Sequence, residues 1–115
     1  MTKATIYMKE ENIVGFKIEG HSGYADIGQD IVCAAISTIA QATAKGITEV
    51  LCMCASEMCD SLSGYMKFYV EDDGTVRFSH AQTLLKTMML TLTDIQWQYP
   101  DFLKVCTKEV EYDIM

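Results

Sequence analysis

The sequence has few of the features that mark membrane, secreted or multidomain proteins. Its 115 residues include a single proline, Pro100, and contain no repeat, low-complexity tract or linker. No apolar run approaches the roughly 20 residues that a membrane-spanning helix needs. The apolar start of the chain soon reaches Lys9, Glu10 and Glu11, so no signal peptide is recognised. These absences predict one domain over residues 1–115, located in the cytoplasm and without membrane contact.

Positive charge is also scarce. The chain has 9 Lys and Arg residues against 16 Asp and Glu residues, for a formal net charge of −7. Proteins that bind nucleic acids use Lys and Arg to neutralise phosphate, so this balance argues against direct nucleic-acid binding. It suits a basic peptide or a basic protein as partner.

Disulfide bonds are not expected either. The chain has 5 cysteines, an odd number, and no recognisable signal peptide, which favours reduced thiols. Hydrophobic residues make up 50% of the sequence, so a packed core is expected without covalent cross-links.

Hydrophobic periodicity predicts the element order ββα-ββα-β. The predicted strands cover residues 4–8, 13–19, 65–70, 75–79 and 102–111, and the predicted helices cover 30–51 and 81–98. Asp72, Asp73 and Gly74 resemble a hairpin turn between the third and fourth strands. Hairpins imply a mainly antiparallel sheet. Two helices with apolar faces would cover one face of that sheet, which gives an α+β two-layer sandwich.

The start of the first predicted helix is the most informative part of the chain. The expected N-cap is Gln29 or Asp30, of which Asp30 is the better capping residue, and either places Cys33 in the first helical turn. Unpaired N–H groups and the positive end of the helix dipole favour a thiolate at that position. The same N–H groups are able to hold the oxyanion of an acyl-transfer intermediate.

A histidine precedes this cysteine at the end of the second predicted strand. His21 lies twelve positions before Cys33, from where its imidazole would take the thiol proton and later protonate a leaving amine. Asp26 and Asp30 are candidates to orient the imidazole, and the loop of residues 22–29 is a candidate lid over a bound peptide. Spacing alone leaves another interpretation open, in which Cys33 is a small core residue of an apolar helix.

The same segment resembles the signature of the ribosomal-processing cysteine protease family, Prp. The pattern is a Gly-His pair, a Gly-Tyr-Ala loop, and then Gly-x-Asp-Ile-Val-Cys-Ala-Ala-x-Ser. The sequence matches this pattern at Gly20, His21, Gly23, Tyr24, Ala25, Gly28, Asp30, Ile31, Val32, Cys33, Ala34, Ala35 and Ser37. The chain length and the predicted element order also fit the family.

The resemblance implies a cysteine endopeptidase with His21 as general base and acid and Cys33 as nucleophile. It implies a substrate, the N-terminal extension of large-subunit ribosomal protein twenty-seven, cut after an aromatic pair in a basic leader. It also implies a homodimer, and no metal or other cofactor is expected. Residues assigned to orienting the base or binding the substrate are Gly20, Ser22, Gly23, Tyr24, Asp26, Asp30 and Ser37.

Other functions stay open on the residues alone. A non-catalytic, ribosome-associated binding module would use the Gly-rich loop as a clamp on a peptide. A metal-dependent regulator would use Cys52, Cys54 and Cys59, although their spacing fits no structural zinc pattern well. Ser22 is disfavoured as a nucleophile, because Tyr24 stands where the Gly-x-Ser-x-Gly turn needs its second glycine.

A few further residues have less specific expectations. Ser37 lies one helical turn after Cys33 and either lines the site or bonds a helix carbonyl. Ser79 is predicted to cap the second helix, with His80 beside it on the surface. Aromatic residues near the end of that helix are expected to be core or dimer contacts: Trp97, Tyr99 and Phe102.

Overall fold

The computed structural model describes residues 1–21, 25, 30–60 and 62–111. In chain order the elements are β1 (Thr2–Lys9), β2 (Asn12–Glu19), α1 (Ile31–Lys45), a π-helical segment (Gly46–Val50), β3 (Ala55–Asp60), β4 (Tyr65–Val70), α2 (Val76–Gln98) and β5 (Leu103–Glu109). The predicted α+β class, with two helices and a mainly antiparallel sheet, is confirmed.

The five strands form one sheet in the order β3-β4-β2-β1-β5. Neighbouring strands run antiparallel, except that β1 and β5 are parallel. The helix α2 contacts β2 and β5, and α1 contacts α2. The helices therefore form the second layer of the sandwich, and β3 is an edge strand of the sheet.

A row of apolar side chains across three strands forms the centre of the core. Ile6 lies opposite Phe16, which lies opposite Phe68, and all three are fully buried. The two phenylalanine rings stack with their centroids 5.4 Å apart. Residues directly opposite each other in a sheet point to the same face, so this row faces the helix layer. Buried side chains of that layer include Val32, Ile36, Ala40, Leu85, Met88 and Leu92.

The helix α1 continues directly into the π-helical segment. Together they span 20 residues, Ile31–Val50, and are long and apolar enough to cross a membrane by length and composition alone. The expectation that no apolar segment reaches this length was therefore wrong. Core helices have the same properties, and Ile36, Ala40 and Ile47 are buried in this fold. The apolar character of the segment is explained by its place in the core.

The segment predicted as a fourth strand, residues 75–79, is helical instead, and the predicted hairpin at 72–74 leads into a helix. Thr75 is the N-cap residue of α2, and its hydroxyl accepts the Arg77 N–H at 3.3 Å. Asp73 in turn accepts the N–H and hydroxyl of Thr75, at 2.9 and 2.6 Å. Five residues are too few for periodicity to separate a strand from the first turns of a helix.

The earlier start of α2 changes the position of two residues near it. Ser79 lies inside the helix and donates its hydroxyl hydrogen to the Val76 carbonyl, so it does not cap the helix. His80 is an exposed residue of the helix rather than a residue that precedes it. At the far end of α2, Trp97 is 80% exposed, which removes it from the core, whereas Tyr99 and Phe102 pack against the core.

The strand β3 was missed in the sequence. Its residues Ala55–Asp60 are mostly exposed and show no alternation of apolar and polar side chains. The strand forms through its pairing with β4, from Ala55 opposite Val70 to Asp60 opposite Tyr65. The element order ββα-ββα-β therefore holds, but the third and fourth strands are β3 and β4 rather than the predicted pair.

Candidate active site

The histidine of the site is held at the end of β2 by a close approach of the backbone. Gly20, directly before His21, has a φ of +86°, and a Cβ atom there would lie 2.9 Å from the carbonyl oxygen of Met1. Thr2 donates its hydroxyl hydrogen to the Gly20 carbonyl at 3.3 Å. Only glycine combines this φ with this contact without strain. Gly20 therefore determines where β2 ends and where His21 lies.

The cysteine of the site is positioned by the N-cap of α1. Asp30 is buried, has extended backbone angles, and accepts the Cys33 N–H through Oδ1 at 2.9 Å. The Ala34 N–H donates to the Asp30 carbonyl at 3.1 Å. Asp30 is thus the N-cap residue, as the sequence predicts, and Cys33 lies in the first helical turn. Since the Cys33 N–H donates to Asp30, that N–H is not the donor expected for an oxyanion.

These two local structures bring the histidine and the cysteine together. His21 Nδ1 lies 3.9 Å from Cys33 Sγ. The other ring nitrogen, Nε2, lies 3.1 Å from the carbonyl oxygen of Leu62, in the turn between β3 and β4. Both side chains are partly exposed, so a substrate is able to reach them. A nucleophile beside a base that is itself held by a third group is the arrangement that covalent catalysis requires.

The pair opens onto a cavity of about 320 Å³ with mostly apolar walls. Its walls are contributed by α1 and by the strands β1, β2, β3 and β4, through residues that include Thr2, Ile18, Ser37, Cys59, Asp60 and Met66. Among the described residues that line it, none is Lys or Arg, and Asp30 and Asp60 are acidic. The cavity is therefore suited to an apolar side chain carried by an uncharged or basic peptide.

Other residues assigned to the site from the sequence have mixed positions. Ser37 is exposed, lines the cavity, and accepts a hydrogen bond from Gln41 Nε2 at 2.8 Å. Of the two expectations for Ser37, the structure shows the first: Ser37 lines the site, and its hydroxyl bonds the Gln41 side chain. Ser22, Gly23, Tyr24 and Asp26 lie outside the residues that the structure describes, as does most of the predicted lid.

The β3–β4 turn is the part of the site that sequence reasoning missed. It supplies the Leu62 carbonyl to His21, and Cys59, Asp60 and Gly64 line the cavity. The Ser-Gly pair at 63–64 is a turn signal, but the strand before it has no periodicity. Nothing in the sequence indicated that this turn packs against His21.

The three cysteines considered for a metal site do not form one. Cys52 and Cys54 follow the π-helical segment, whereas Cys59 is on β3 and lines the cavity. Over residues 1–21, 25, 30–60 and 62–111, no group of three or more His, Cys, Asp or Glu side chains is placed to hold a metal ion. The metal-dependent alternative therefore has no support from the described part of the chain.

The sequence matches a family model described as cysteine protease Prp over residues 1–104. A protein of Bacillus subtilis (strain 168), named ribosomal processing cysteine protease Prp, is 29% identical over 112 residues. That match covers 93% of this chain and 97% of the relative.

Solved structures share the fold. The essential ribosomal processing protease Prp of Staphylococcus aureus, in complex with a covalently linked product peptide, has a TM-score of 0.84 to this chain and 23% identity, covering 94% of this chain and 100% of that one. The same protein in complex with a substrate peptide has a TM-score of 0.79 and 22% identity, with the same coverage. Both helices and the five-stranded sheet thus belong to a known architecture.

Proposed function

Because the chain belongs to the cysteine protease Prp family, we propose that it cleaves peptide bonds with Cys33 as nucleophile and His21 as general base and acid. The expectation of a cysteine protease is confirmed by this membership. The observation that carries the assignment of the two residues is the 3.9 Å approach of His21 Nδ1 to Cys33 Sγ at the mouth of the cavity.

In the proposed reaction His21 Nδ1 takes the thiol proton of Cys33, and the sulfur attacks the carbonyl carbon of the scissile bond. The tetrahedral intermediate collapses as the C–N bond breaks, and the imidazolium gives its proton to the leaving amine. The N-terminal part of the substrate stays bound to Cys33 as a thioester. Water, deprotonated by His21, then attacks the thioester, which releases a carboxylic acid and restores the thiol.

We further propose that the substrate is the N-terminal extension of a large-subunit ribosomal protein, protein twenty-seven, with a cut after an aromatic pair. The name of the Bacillus subtilis relative, a ribosomal processing protease, supports the substrate class. The mostly apolar cavity next to Cys33 supports an aromatic side chain before the cut. Asp30 and Asp60 in its lining support a basic leader.

The proposal includes a cytoplasmic location and a homodimer. All five cysteines are free thiols, which is consistent with a reducing compartment. Trp97 is 80% exposed and Leu90, one heptad earlier on the same face of α2, is 63% exposed. Large apolar side chains on one exposed helix face support association with a second copy. The double variant Leu90→Ser/Trp97→Ser is expected to be monomeric in sedimentation experiments, and an unchanged mass would contradict this face.

The deciding experiment mixes the protein with the ribosomal precursor and sequences the new N-terminus. The wild-type protein is expected to remove the extension, and Cys33→Ala and His21→Ala are expected to leave the precursor intact. Cys106→Ala is the matched control, because Cys106 is also a partly buried free cysteine but lies on β5. It should cleave as the wild type does.

Two results would contradict the proposal. Full cleavage by Cys33→Ala or His21→Ala would exclude the pair as catalytic residues. Binding of the precursor that survives Cys33→Ala, with no cleavage by any variant, would support the ribosome-associated binding module and the peptide clamp instead.

A further inference from the structure

The hydrogen bond of His21 Nε2 determines what the other ring nitrogen is able to do. A carbonyl oxygen only accepts hydrogen bonds, so the 3.1 Å contact with Leu62 requires a hydrogen on Nε2. In a neutral imidazole the lone pair is then on Nδ1, the nitrogen that lies 3.9 Å from Cys33 Sγ. This is the tautomer that a base needs if it is to accept the thiol proton.

In serine protease triads, a buried carboxylate selects the tautomer of the histidine. The two described carboxylates that line the cavity make other contacts: Asp30 Oδ1 accepts the Cys33 N–H at 2.9 Å and caps α1, and Asp60 Oδ1 accepts the Leu62 N–H at 3.1 Å. The hydrogen-bond partner of His21 Nε2 is instead the backbone carbonyl of Leu62. A carbonyl accepts the same hydrogen bond as a carboxylate but brings no charge to the site.

The turn that carries this carbonyl is held in place by its own hydrogen bonds. Asp60 Oδ1 accepts the Leu62 N–H at 3.1 Å, and Ser63 donates its hydroxyl hydrogen to the Asp60 carbonyl at 3.3 Å. The first contact holds the Leu62 N–H, and the second ties the Ser63 side chain back to Asp60, so both bonds close the turn around Leu62. The side chain of Leu62 is 89% exposed, so the turn is not positioned by burial of that side chain.

The turn also packs closely against the strand end that carries His21. Gly64 has a φ of +67°, and a Cβ atom there would lie 2.6 Å from the Gly20 carbonyl oxygen and 3.0 Å from His21 Cε1. No side chain fits into this gap. The absence of a side chain at Gly64 therefore allows the turn to approach the imidazole ring.

We propose that Leu62 is a positioning residue of the site: its backbone carbonyl, presented by the β3–β4 turn, holds the hydrogen of His21 on Nε2 and directs the Nδ1 lone pair toward Cys33. The proposal rests on the catalytic roles proposed above for His21 and Cys33. The tautomer itself is measurable without any assay of cleavage.

The first test reads the tautomer directly by NMR. The chain has 2 histidines, and the other one, His80, is exposed on α2 and serves as an internal reference. Protein with isotope-labelled histidine, in a Cys33→Ala background, is measured near pH 9, where an ordinary imidazole is neutral. Long-range proton–nitrogen correlations are expected to show His21 with its hydrogen on Nε2 and His80 as a mixture. A hydrogen on His21 Nδ1, or a mixture like that of His80, would overturn the proposal.

The second test changes the turn and separates its geometry from its charge. Asp60→Ala removes the acceptor of the Leu62 N–H and is expected to lower kcat about tenfold, while His21 loses its tautomer preference. Asp60→Asn keeps an oxygen acceptor without the charge and is expected to restore kcat and the tautomer, while its KM rises with that of Asp60→Ala because both variants lack the charge that faces a basic leader. Asp72→Ala is the matched control, because Asp72 accepts the Gly74 N–H at 2.9 Å in a similar exposed turn.

The outcomes are distinguishable from a failure of the proposed protease mechanism. If Asp60→Asn loses as much kcat as Asp60→Ala, the carboxylate charge rather than the turn geometry supports catalysis, and the positioning role is wrong. If the wild type and Cys33→Ala both fail to cleave, the catalytic assignment is wrong, and the NMR result still decides whether the carbonyl sets the tautomer.

Discussion

The two ends of β4 use the same turn chemistry for different purposes. Before the strand, Asp60 accepts the N–H of Leu62 at 3.1 Å, and Gly64 has a φ of +67°. After the strand, Asp72 accepts the N–H of Gly74 at 2.9 Å, and Gly74 has a φ of +75°. Each end thus combines an aspartate that bonds the backbone two residues on with a glycine in the left-handed region.

The difference between the two ends is what each turn touches. A Cβ atom at Gly64 would collide with Gly20 and approach His21, whereas a Cβ atom at Gly74 would meet nothing within 4 Å. The first turn completes the candidate active site, and the second only leads the chain into α2. Local sequence specifies that a turn forms, but long-range packing decides whether the turn acquires a functional role.

The largest effect on activity is expected when a methyl group is added to the glycine at one end of β4 but not when it is added at the other. Gly64→Ala and Gly74→Ala each place alanine at a positive φ, which costs about 1–2 kcal/mol of stability. Only Gly64→Ala pushes the turn away from His21, so we expect kcat to fall about 100-fold in this variant. Gly74→Ala should cleave as the wild type does. Thermal unfolding and steady-state kinetics on both variants check this, and equal activity losses would remove the distinction between the ends.

A large loss of stability without a change in kcat is expected near the C-terminal end of β4, which lacks catalytic groups. Buried Gln82 accepts the Ile13 N–H at 2.7 Å and donates to the Ile13 carbonyl at 2.8 Å. Gln82→Met leaves both backbone groups buried without this partner, and we expect a loss of about 2–4 kcal/mol in the free energy of unfolding. Denaturant titration measures the loss. The kcat of the folded fraction should be unchanged, and a fall in kcat would show that the two ends are coupled.

A smaller effect should follow from removing the two helix caps. Asp30→Ala and Thr75→Ala each remove a cap and are expected to cost about 1 kcal/mol of stability. Asp30 bonds the N–H of Cys33, so its loss should also lower kcat by about tenfold. Thr75→Ala should leave kcat unchanged. Unfolding curves measure the loss of stability and steady-state kinetics measure kcat. Equal kcat values for the two variants would mean that the Asp30 cap has no role in catalysis.

The smallest expected effect concerns the exposed carboxylate at the start of α2. Hydrogen bonds from the Thr75 hydroxyl and N–H, with Arg77 nearby, hold the pKa of Asp73 below its ordinary value of 3.8. A lowered pKa in the folded state stabilises the protein above pH 3.8, and this contribution is lost as the pH falls through the folded-state pKa. The difference in Tm between wild type and Asp73→Asn should therefore be small at neutral pH and vanish in strong acid. A difference that persists in acid would mean that charge is not its source.

The parts of the site that follow from local sequence were accessible without a structure. The cap of α1 involves residues three positions apart, so Asp30 and Cys33 could be placed from capping preferences. The approach of His21 to Cys33 spans twelve positions and was expected because a strand end would lie beside a helix start. In both cases a side chain whose chemistry is visible in the sequence makes the contact.

The rest of the site depends on contacts that cannot be predicted from the types of the residues that make them. Leu62 lies 41 positions from His21, and it contributes a backbone carbonyl, which every residue has. The strand β3 is exposed and lacks alternation, so its pairing with β4 rather than its own pattern specifies it. The error at residues 75–79 has a related cause, since Thr75 and Asp73 form a cap from residues that also suit a hairpin.

The parallel pairing of β5 with β1 has a consequence for the time at which activity arises during synthesis. The partners Thr5 and Cys106 are 101 positions apart, and the Thr2 N–H donates to the Phe102 carbonyl at 2.9 Å. Such distant contacts form late, because the chain between them must first be made and ordered. Thr2 in turn bonds the carbonyl of Gly20. During synthesis α1 is therefore expected to form early. His21 is expected to reach its final position only after β5 has paired with β1.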